Sequence, residues 1–386
     1  DALAPTRCTS GVWTGTAVPA GPPVAAATVV GGVTLMPVPV RVVDTRTTPG
    51  KLGAGRILTV PIAGDNGVEA SAVAALVSVT AVEPCADTFL TVFPCGGAPP
   101  VASVVNAVAL SIVANSAVVR LGNGSVCVYS PQPTDVVVDV TGWIGPSGLA
   151  TSSVAPLRLI DTRPGQPQAF NASQNRLDAG GALTVDVGAL PSAAGASGAT
   201  VNVTAAAPQG SGFISVLPGP CNTASLPPST SNLNVTPNRD VAAAVTVGLS
   251  GGSLCVYSST ATDVVVDLQA LMGTSGGRTT AIDPTRILDT RNTSRLAAGQ
   301  TLEVALVASV DAAIVNLTAV DPSGSGFLTL YPCGSAVPTA SNVNVVRGAI
   351  VANRALVSTA GTDRFCLFSS VETDAVIDVE GYVTIG

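Results

Sequence analysis

The sequence contains one pattern three times, and this repeat limits the possible fold more than any other feature. Each copy opens with Arg-x-x-Asp-Thr-Arg, at residues 41–46, 158–163 and 286–291. Each copy closes with Thr-Asp-x-Val-x-Asp, at residues 134–139, 262–267 and 373–378. A Thr-Ala segment and a Phe-rich segment lie between these ends in the same order. Such agreement of order and spacing predicts three tandem copies of one domain.

Each copy is predicted to be built from strands. Charged residues make up only 11% of the chain, while Val and Thr, which fit a pleated surface, are abundant. Roughly eight short segments per copy are separated by Gly, Pro, Ser or Asn turns, a spacing typical of a sandwich, jelly roll or small barrel. Alternation in the last strand of the first copy puts its core valines opposite Asp135 and Asp139. We predict an all-β fold of three tandem β-sandwich, jelly-roll-like domains, at residues 37–145, 155–273 and 283–386.

The repeat also suggests how the eight cysteines pair. Six of them occupy matching positions in the three copies, at nearly equal separations, and two stand outside the repeat. The predicted disulfides are Cys95–Cys127, Cys221–Cys255, Cys333–Cys366 and Cys8–Cys85. Zinc is the competing interpretation, but the chain has no CxxC pair and no histidine, so no metal is predicted. Disulfides indicate an oxidising, extracellular compartment, and we interpret the start at Asp1 as a mature product whose signal peptide has been removed.

Residues 1–36 form no complete repeat and are rich in Pro, Ala and Val. Two interpretations of this amino-terminal arm are open. It packs on its own first domain beside Cys8 and Cys85, or residues 25–35 add a strand to a neighbouring subunit. The contact residues of such an assembly strand are Val29, Val30, Val33 and Leu35. Residues 146–155 and 274–284 are interpreted as polar linkers, which predicts a chain of beads with limited bending.

The sequence lacks the residues that most kinds of catalytic site require. The chain has no histidine, which excludes Ser/His/Asp and Cys/His nucleophilic sites, and disulfide pairing leaves no free thiolate. No Gly-rich phosphate loop lies between a strand and a helix. We predict that the chain is not an enzyme, and we predict neither catalytic residues nor a cofactor.

Paired carboxylates are the remaining chemical candidates. Asp135 and Asp139, and the matching pairs in the other copies, lie on one strand face, where they could bind a sugar or Ca²⁺. The alternative is structural, because guanidinium groups of the opening motif can pair with the closing strand and lock each domain. We predict this structural role, with the ion pairs Arg46–Asp139, Arg163–Asp267 and Arg291–Asp378.

Charge and hydropathy bear on the partners. A net charge of −7 leaves no basic patch for phosphates, so nucleic acid is not a predicted partner. Residues 101–121 are apolar enough to suggest a membrane span. The matching segments contain charged residues such as Asp240 and Arg354, so we predict adjacent buried strands and no membrane-spanning segment. A surface poor in charge suits a protein that is assembled, glycan-coated or attached to a wall.

Asparagines recur at matching positions of the copies. One set is Asn106, Asn234 and Asn344, and another is Asn115 and Asn353, with Ala243 in the second copy. We expect these amides to satisfy backbone groups at turns or bulges. Sugar binding through the amides is the alternative, and Trp13, Trp143 and Tyr382 are then the candidate stacking aromatics.

The opening motif, together with V-N-[VL]-T-A, S-N-[LV]-N, C-[VL]-[YF]-S and the closing T-D-x-V-[VI]-D, resembles an uncharacterised repeat. That repeat occurs in exported and cell-wall-associated proteins of high-GC Gram-positive bacteria, often beside hydrolases that act on walls or polysaccharides. The resemblance covers the chain except its arm and linkers, and it implies a targeting, adhesive or structural role without catalytic residues. The first copy departs from the pattern at Ser78, where the others have Asn202 and Asn316, and at Cys85. These changes suggest that this copy is specialised to hold the arm.

The sequence therefore predicts an extracellular, cell-surface structural, assembly or adhesion protein. A fibre or surface-layer subunit that uses its arm for inter-subunit contacts is one form of this hypothesis, with self-association or other cell-surface proteins as partners. The alternative is an array of polysaccharide- or peptidoglycan-binding modules whose partners are cell-wall glycans. A glycan-active enzyme is the third class.

Overall fold

The computed structural model describes residues 8, 12–13, 16–18, 28–167, 169–171 and 175–385. The chain is nearly all-β and folds as three tandem sandwiches, as the repeat predicts. We call these lobe 1 (residues 29–145 and the described residues before them), lobe 2 (residues 150–273) and lobe 3 (residues 278–385). In the described part of the chain, single-turn 3₁₀ helices interrupt the strands at Pro191–Ala193, Thr223–Ser225 and Thr290–Asn292.

The strands have the following bounds. Those of lobe 1 are β1 (Val12–Trp13), β2 (Thr16–Ala17), β3 (Val29–Asp44), β4 (Lys51–Leu52), β5 (Arg56–Pro61), β6 (Ala74–Val82), β7 (Thr88–Pro94), β8 (Val105–Ala107), β9 (Ile112–Arg120), β10 (Ser125–Ser130) and β11 (Asp135–Gly145). Those of lobe 2 are β12 (Ala150–Asp161), β13 (Ala182–Asp186), β14 (Gly198–Ala206), β15 (Gly212–Gly219), β16 (Leu233–Val235), β17 (Val241–Gly248), β18 (Ser253–Ser258) and β19 (Asp263–Gly273). Those of lobe 3 are β20 (Arg278–Asp289), β21 (Thr301–Ala305), β22 (Ala312–Val320), β23 (Gly326–Tyr331), β24 (Val343–Val345), β25 (Ile350–Ser358), β26 (Arg364–Ser369) and β27 (Asp374–Thr384).

Each lobe consists of two antiparallel sheets with the same strand order. The inner sheets, which contain the first and last repeat strands, are β3-β11-β6-β9, β12-β19-β14-β17 and β20-β27-β22-β25. The outer sheets are β2-β5-β10-β7-β8, β13-β18-β15-β16 and β21-β26-β23-β24. Eight repeat strands divided between two four-stranded sheets form a jelly-roll-like sandwich, to which lobe 1 adds β2. Strand β1 pairs in parallel with β4, at the side of lobe 1.

The inner sheets are buried on both faces. In β22, Ala313, Val315 and Leu317 pack in the core of lobe 3, because alternate residues point to one side. On the opposite face of β22, Ala312 and Ile314 join a second apolar cluster that also contains Val118 of lobe 1 and Ala270 of lobe 2. The inner sheets therefore pack against one another, and the outer sheets face away from this junction.

The prediction of separate beads on polar linkers was wrong, because the lobes are in direct contact. Strand β12 begins at Ala150 and β20 at Arg278, so residues 146–149 and 274–277 are the loops between lobes. The segments predicted as linkers are mostly strand because their backbone pairs with the last strand of the same lobe. Strand β3 likewise begins before residue 37, where the first domain was predicted to start.

The amino-terminal end of β3 connects lobes 1 and 3. Val29, Val30 and Gly31 pair with Ala281, Thr280 and Thr279 of β20. From Gly32 onward β3 pairs with β11, so the two inner sheets form one eight-stranded sheet. The assembly strand predicted at Val29, Val30, Val33 and Leu35 is thus wrong as an inter-subunit strand. The chain closes on itself, and β20 of lobe 3 offers the edge that a second subunit was expected to offer.

Glycine permits the close crossing of chain segments at this connection. A Cβ atom at Gly32 would lie 2.5 Å from the backbone of Gly148, in the loop between lobes 1 and 2. Gly148 also has a φ of 118°, which side chains rarely adopt. A larger residue at either position would push lobe 1 away from the loop that leads to lobe 2.

The apolar segment at residues 101–121 contains β8, β9 and the loop between them. No helix among the described residues is long and apolar enough to cross a membrane.

Candidate functional site

The Arg-x-x-Asp-Thr-Arg motif forms a charged cluster at the end of the first inner strand of each lobe. The first arginine of the motif is paired in register with the last aspartate of the closing strand, as in Arg286 and Asp378. Arg286 donates two hydrogen bonds to this carboxylate, at 2.9 and 3.0 Å. The matching pairs are Arg41–Asp139 and Arg158–Asp267. Each pair ties the first repeat strand to the last, which is the structural role expected for the motif.

The predicted partners within this cluster were wrong. Arg46, Arg163 and Arg291 had been assigned to Asp139, Asp267 and Asp378, but each instead binds the aspartate of its own motif. In lobe 3 the chain leaves β20 at Asp289 and turns into the helix Thr290–Asn292. Arg291 therefore folds back, and its Nε donates to Asp289 at 2.8 Å. The strand register selects Arg286 for Asp378, and the turn selects Arg291 for Asp289.

The pKa of the aspartate in the opening motif and the pKa of the last aspartate in the closing strand shift in opposite directions. The hydrogen bond from Arg46 lowers the pKa of Asp44, and the bond from Arg291 lowers the pKa of Asp289. Burial raises the pKa of Asp139, Asp267 and Asp378, although the arginine opposite each of them opposes this rise. Removing that arginine would leave the effect of burial unopposed.

The first aspartate of each closing strand is also neutralised within its lobe. Asp135 accepts a hydrogen bond from Thr45 and forms an ion pair with Lys51 at 2.9 Å. The matching cations are Arg176 on Asp263 and Arg295 on Asp374. Among the described residues, no group of three or more His, Cys, Asp or Glu side chains could hold a metal ion. The carboxylate pairs considered for sugar or Ca²⁺ binding thus serve as anions for the protein's own cations.

These cations were missed at the level of sequence, although a signal for them exists. Lys51, Arg176 and Arg295 each precede Leu-x-Ala-Gly, at residues 51–55, 176–180 and 295–299. Because the three segments occupy the same place in the repeat, a basic residue common to all three predicts a shared acidic partner.

Four disulfides are present, and they join the pairs predicted from the sequence. Cys95–Cys127, Cys221–Cys255 and Cys333–Cys366 each link the segment after the Phe-rich strand to the neighbouring outer strand. Cys8–Cys85 fixes the amino-terminal segment to lobe 1. No free cysteine remains among the described residues.

The lobes meet around three equivalent strands, β9, β17 and β25, and the contacts follow a cyclic order. Asn115 of lobe 1 donates a hydrogen bond to Asn316 of lobe 3 at 2.9 Å. Asn353 of lobe 3 donates to Asn202 of lobe 2 at 2.8 Å. The two bonds join matching positions in successive lobes, so the junction has approximate threefold symmetry. Asn115 and Asn353 therefore connect lobes, in addition to satisfying backbone groups.

The third contact of this ring is missing. By the same symmetry it would join residue 243 of lobe 2 to residue 78 of lobe 1, which are Ala243 and Ser78. Neither residue of this pair at the interface between lobes 1 and 2 has a side-chain amide. No buried amide is therefore left without a partner there. The change at Ser78 therefore belongs to the contact between lobes 1 and 2.

Restoring this contact gives a test of the cyclic arrangement. Ser78→Asn combined with Ala243→Asn is expected to raise the free energy of unfolding by about 1 kcal/mol, because the double variant forms a new buried hydrogen bond. Each single variant should be neutral or less stable than the parent, because it buries an unpaired amide. Denaturant unfolding of all four proteins measures the coupling. Additive effects of the two single changes would contradict the arrangement.

A second set of contacts comes from β-bulges in the last strand of each lobe. Gln269 of lobe 2 lies at a bulge and accepts a hydrogen bond from the Leu356 amide of lobe 3 at 3.0 Å. Glu380 of lobe 3 lies at the matching bulge and accepts from the Val118 amide of lobe 1 at 3.0 Å. Thr141, the matching residue of lobe 1, instead donates to Leu76 of its own lobe. The interface between lobes 1 and 2 thus lacks this contact as well.

Arg354 occupies the centre of the junction and is 3% exposed. Its side chain donates to Ser116 of lobe 1 at 2.9 Å and to Thr246 of lobe 2 at 2.7 Å. It therefore contacts both other lobes. The matching residues are Ser116 and Ala244, so this arginine is particular to lobe 3.

The interface between lobes 1 and 2 contains an open cleft of about 620 Å³. Its apolar lining includes Val33, Leu35, Met36, Leu149, Pro218 and Leu249. The cleft lies at the interface that lacks both the asparagine pair and the bulge contact.

The outer sheets carry a repeated aromatic surface that points away from the junction. In lobe 1, Phe89 is paired in register with Asn106, and its ring lies 6.3 Å from that of Tyr129. The matching ring pairs are Phe213–Tyr257 and Phe327–Phe368, with Asn234 and Asn344 beside them. The amide nitrogens of Asn234 and Asn344 are buried and have no hydrogen-bond partner among the described residues. Each lobe thus carries an aromatic pair on its outer sheet, beside an asparagine whose side chain does not face solvent in lobes 2 and 3.

This surface was not predicted from the sequence. Of the aromatics considered for sugar stacking, Trp143 is buried and Tyr382 packs against the core of lobe 3. The side chain of Trp13 lies outside the described part of the chain. The recurrence of Phe89, Phe213 and Phe327 at one place in the repeat is the signal that identifies this surface.

No protein-family model matches the chain, and no curated protein matches it.

Proposed function

We propose that the chain is an extracellular structural or adhesion protein of a cell surface, which acts through the outward faces of three joined lobes. The observation that carries this proposal is the junction of the inner sheets. The junction joins the three sandwiches into one body. It leaves their three similar outer sheets available for contact with a partner.

The use of the charged groups supports a role without catalysis. The repeated aspartates at positions such as Asp135 and Asp139 are bound to arginine or lysine of the same lobe. A carboxylate held in such a pair is a poor candidate for a nucleophile or a proton donor, because its charge already stabilises the fold. The surfaces of the lobes are then the parts that can serve a partner.

The disulfides support an extracellular location. Such bonds persist in oxidising compartments, and they stabilise domains that must remain folded outside the cell. Three of the four recur at the same place in each lobe, so each outer sheet is fixed independently. Because β3 is paired with β20 of the same chain, we propose that assembly uses the outer sheets.

Electron microscopy and wall sedimentation of the purified chain test the proposal together. Ordered filaments or sheets are expected if the chain assembles by itself. Separate three-lobed particles that sediment with walls of high-GC Gram-positive cells are expected if it adheres to another surface component. Particles that neither assemble nor bind walls or surface proteins would contradict the proposal.

Glycan binding is the second candidate, and the repeated aromatic surface favours it. Sugar rings stack on aromatic side chains, which is the contact that this surface can offer. Phe89, with 37% of its surface exposed, is the most accessible ring of the set. Three such surfaces on one body would bind a polymer with higher avidity than any one of them.

Substitution of the outer phenylalanines tests this candidate. Phe89→Ala is expected to weaken sedimentation with cell-wall polysaccharide several-fold, and the triple change at Phe89, Phe213 and Phe327 should weaken it on the order of a hundredfold. Phe170→Ala is the matched control, because Phe170 is 40% exposed but lies outside the outer sheets. Equal binding by the parent and the triple variant would exclude this surface as the glycan site.

A further inference from the structure

Glu380 stands out because it is a buried carboxylate at a place where the matching lobe uses a neutral amide. It is 1% exposed, and Gln269 at the matching bulge is 2% exposed. Both accept a hydrogen bond from a backbone amide of the next lobe at 3.0 Å. Because glutamine makes the same contact without charge, the geometry of this interface requires an acceptor oxygen but no negative charge.

The charged groups around Glu380 do not form a close pair with it. Arg354 on β25 attracts Glu380 from a distance, and its nitrogens are bonded to hydroxyl groups of the other lobes. Asp378 on the same strand repels Glu380 and is itself bound to Arg286. On β9, Arg120 forms an ion pair with Asp283 of β20. No ion pair of Glu380 is present in the part of the chain that the structure describes.

We propose that Glu380 is a proton-sensitive latch between lobes 1 and 3. With its proton, Glu380 accepts a hydrogen bond from the Val118 amide, as Gln269 does from the Leu356 amide, and the interface is closed. Without its proton, it places a buried negative charge at the interface. The cost of burying this charge exceeds the gain from a stronger bond to the Val118 amide, so the interface is weakened. The affected interface includes the pairing of β3 with β20, so its loosening would free the edge of β20.

The direction of the pH effect follows from burial. Burial raises the pKa of Glu380 from 4.5 to about 7, against the opposing effects of the Val118 amide and Arg354. A group whose pKa is raised by folding favours the folded state fully below its unfolded pKa. The stabilisation is then lost as the pH rises through about 7. The latch is therefore closed in acid and loosened in mild alkali.

Hydrogen exchange of the Val118 amide tests the latch in the full chain. The rate in the parent protein is divided by the rate in Glu380→Gln at each pH from 5 to 9, which removes the intrinsic effect of pH on exchange. This ratio should be only a few-fold at pH 5, which is just above the unfolded pKa of 4.5. At pH 9 it should reach the order of a hundredfold, because a shift of one pKa unit corresponds to a factor of ten.

Two further variants complete the test. Gln269→Glu should give the Leu356 amide the same dependence on pH that Val118 has in the parent. Glu69→Gln, at an exposed glutamate of lobe 1, should follow the parent at every pH. A ratio that stays constant from pH 5 to pH 9 would overturn the proposal. Failure of Glu380→Gln to fold would also overturn it, because the charged form would then be the one that the interface requires.

Discussion

Replacing Arg286 with Met is expected to lower the free energy of unfolding by about 3 kcal/mol, one of the two largest single effects that we expect in this protein. Asp378 is buried, with 2% of its side chain exposed, and receives two hydrogen bonds from Arg286. Met retains much of the packing of the arginine stem but leaves the carboxylate without its cation. The folded state would then hold an unpaired buried charge.

The same change should alter the pH dependence of stability. Burial already raises the pKa of Asp378, and Arg286 opposes this rise. Without Arg286 the pKa rises further, so protonation relieves the buried charge in acid. The loss caused by Arg286→Met should therefore be small near pH 4 and should grow as the pH rises towards neutrality. Denaturant unfolding at several pH values measures this trend.

Arg291→Met is the matched control, because it removes the last arginine of the same motif. Arg291 is 47% exposed and binds Asp289, which is 11% exposed. A pair whose cation is about half exposed contributes little, and Asp289 keeps a second cation in Arg286 at 3.5 Å, so we expect a loss below about 1 kcal/mol. Equal losses in the two variants would contradict the assignment of Arg286, rather than Arg291, as the residue that closes the domain.

This contrast shows what the repeat could and could not predict. The motif contains two arginines and a nearby carboxylate, and sequence alone indicated that one arginine would reach the closing strand. The choice between Arg286 and Arg291 depends on strand register and on the turn after Asp289, which are set by pairing across about ninety residues of chain. Composition and spacing carry no information about that register.

The all-β fold and the cysteine pairs could be derived because each depends on features inside one copy. The junction of the lobes depends on contacts between copies, which a comparison of the copies does not reveal directly. Two signals nevertheless exist in the sequence. Strand β22 has apolar residues on both faces, which indicates burial on both sides, and the paired changes at Ser78 and Ala243 affect positions that are far apart in the chain.

Removal of the lobe 2 disulfide tests whether the junction makes the three lobes one unfolding unit. Replacing Cys221 and Cys255 with Ala is expected to lower stability by about 3–4 kcal/mol, because the bond closes a loop with a sequence separation of 34 residues. Both tryptophans of the chain, Trp13 and Trp143, belong to strands of lobe 1. Tryptophan fluorescence therefore reports on lobe 1, whereas far-UV circular dichroism reports on all strands.

If the lobes unfold together, the change in lobe 2 should shift the fluorescence midpoint of lobe 1 by the same amount as the circular dichroism midpoint. Coincident transitions are the mark of a two-state process. Independent lobes would instead leave the fluorescence midpoint unchanged, as a chain of beads requires. Replacing Cys95 and Cys127 in lobe 1 is the control, because it should move the fluorescence midpoint in either case. A shift in both variants would show that a bond in lobe 2 stabilises lobe 1. The contacts that carry this effect are the bond from Ser116 to Ala244 and, by way of lobe 3, the bond from Asn353 to Asn202 and the shared sheet.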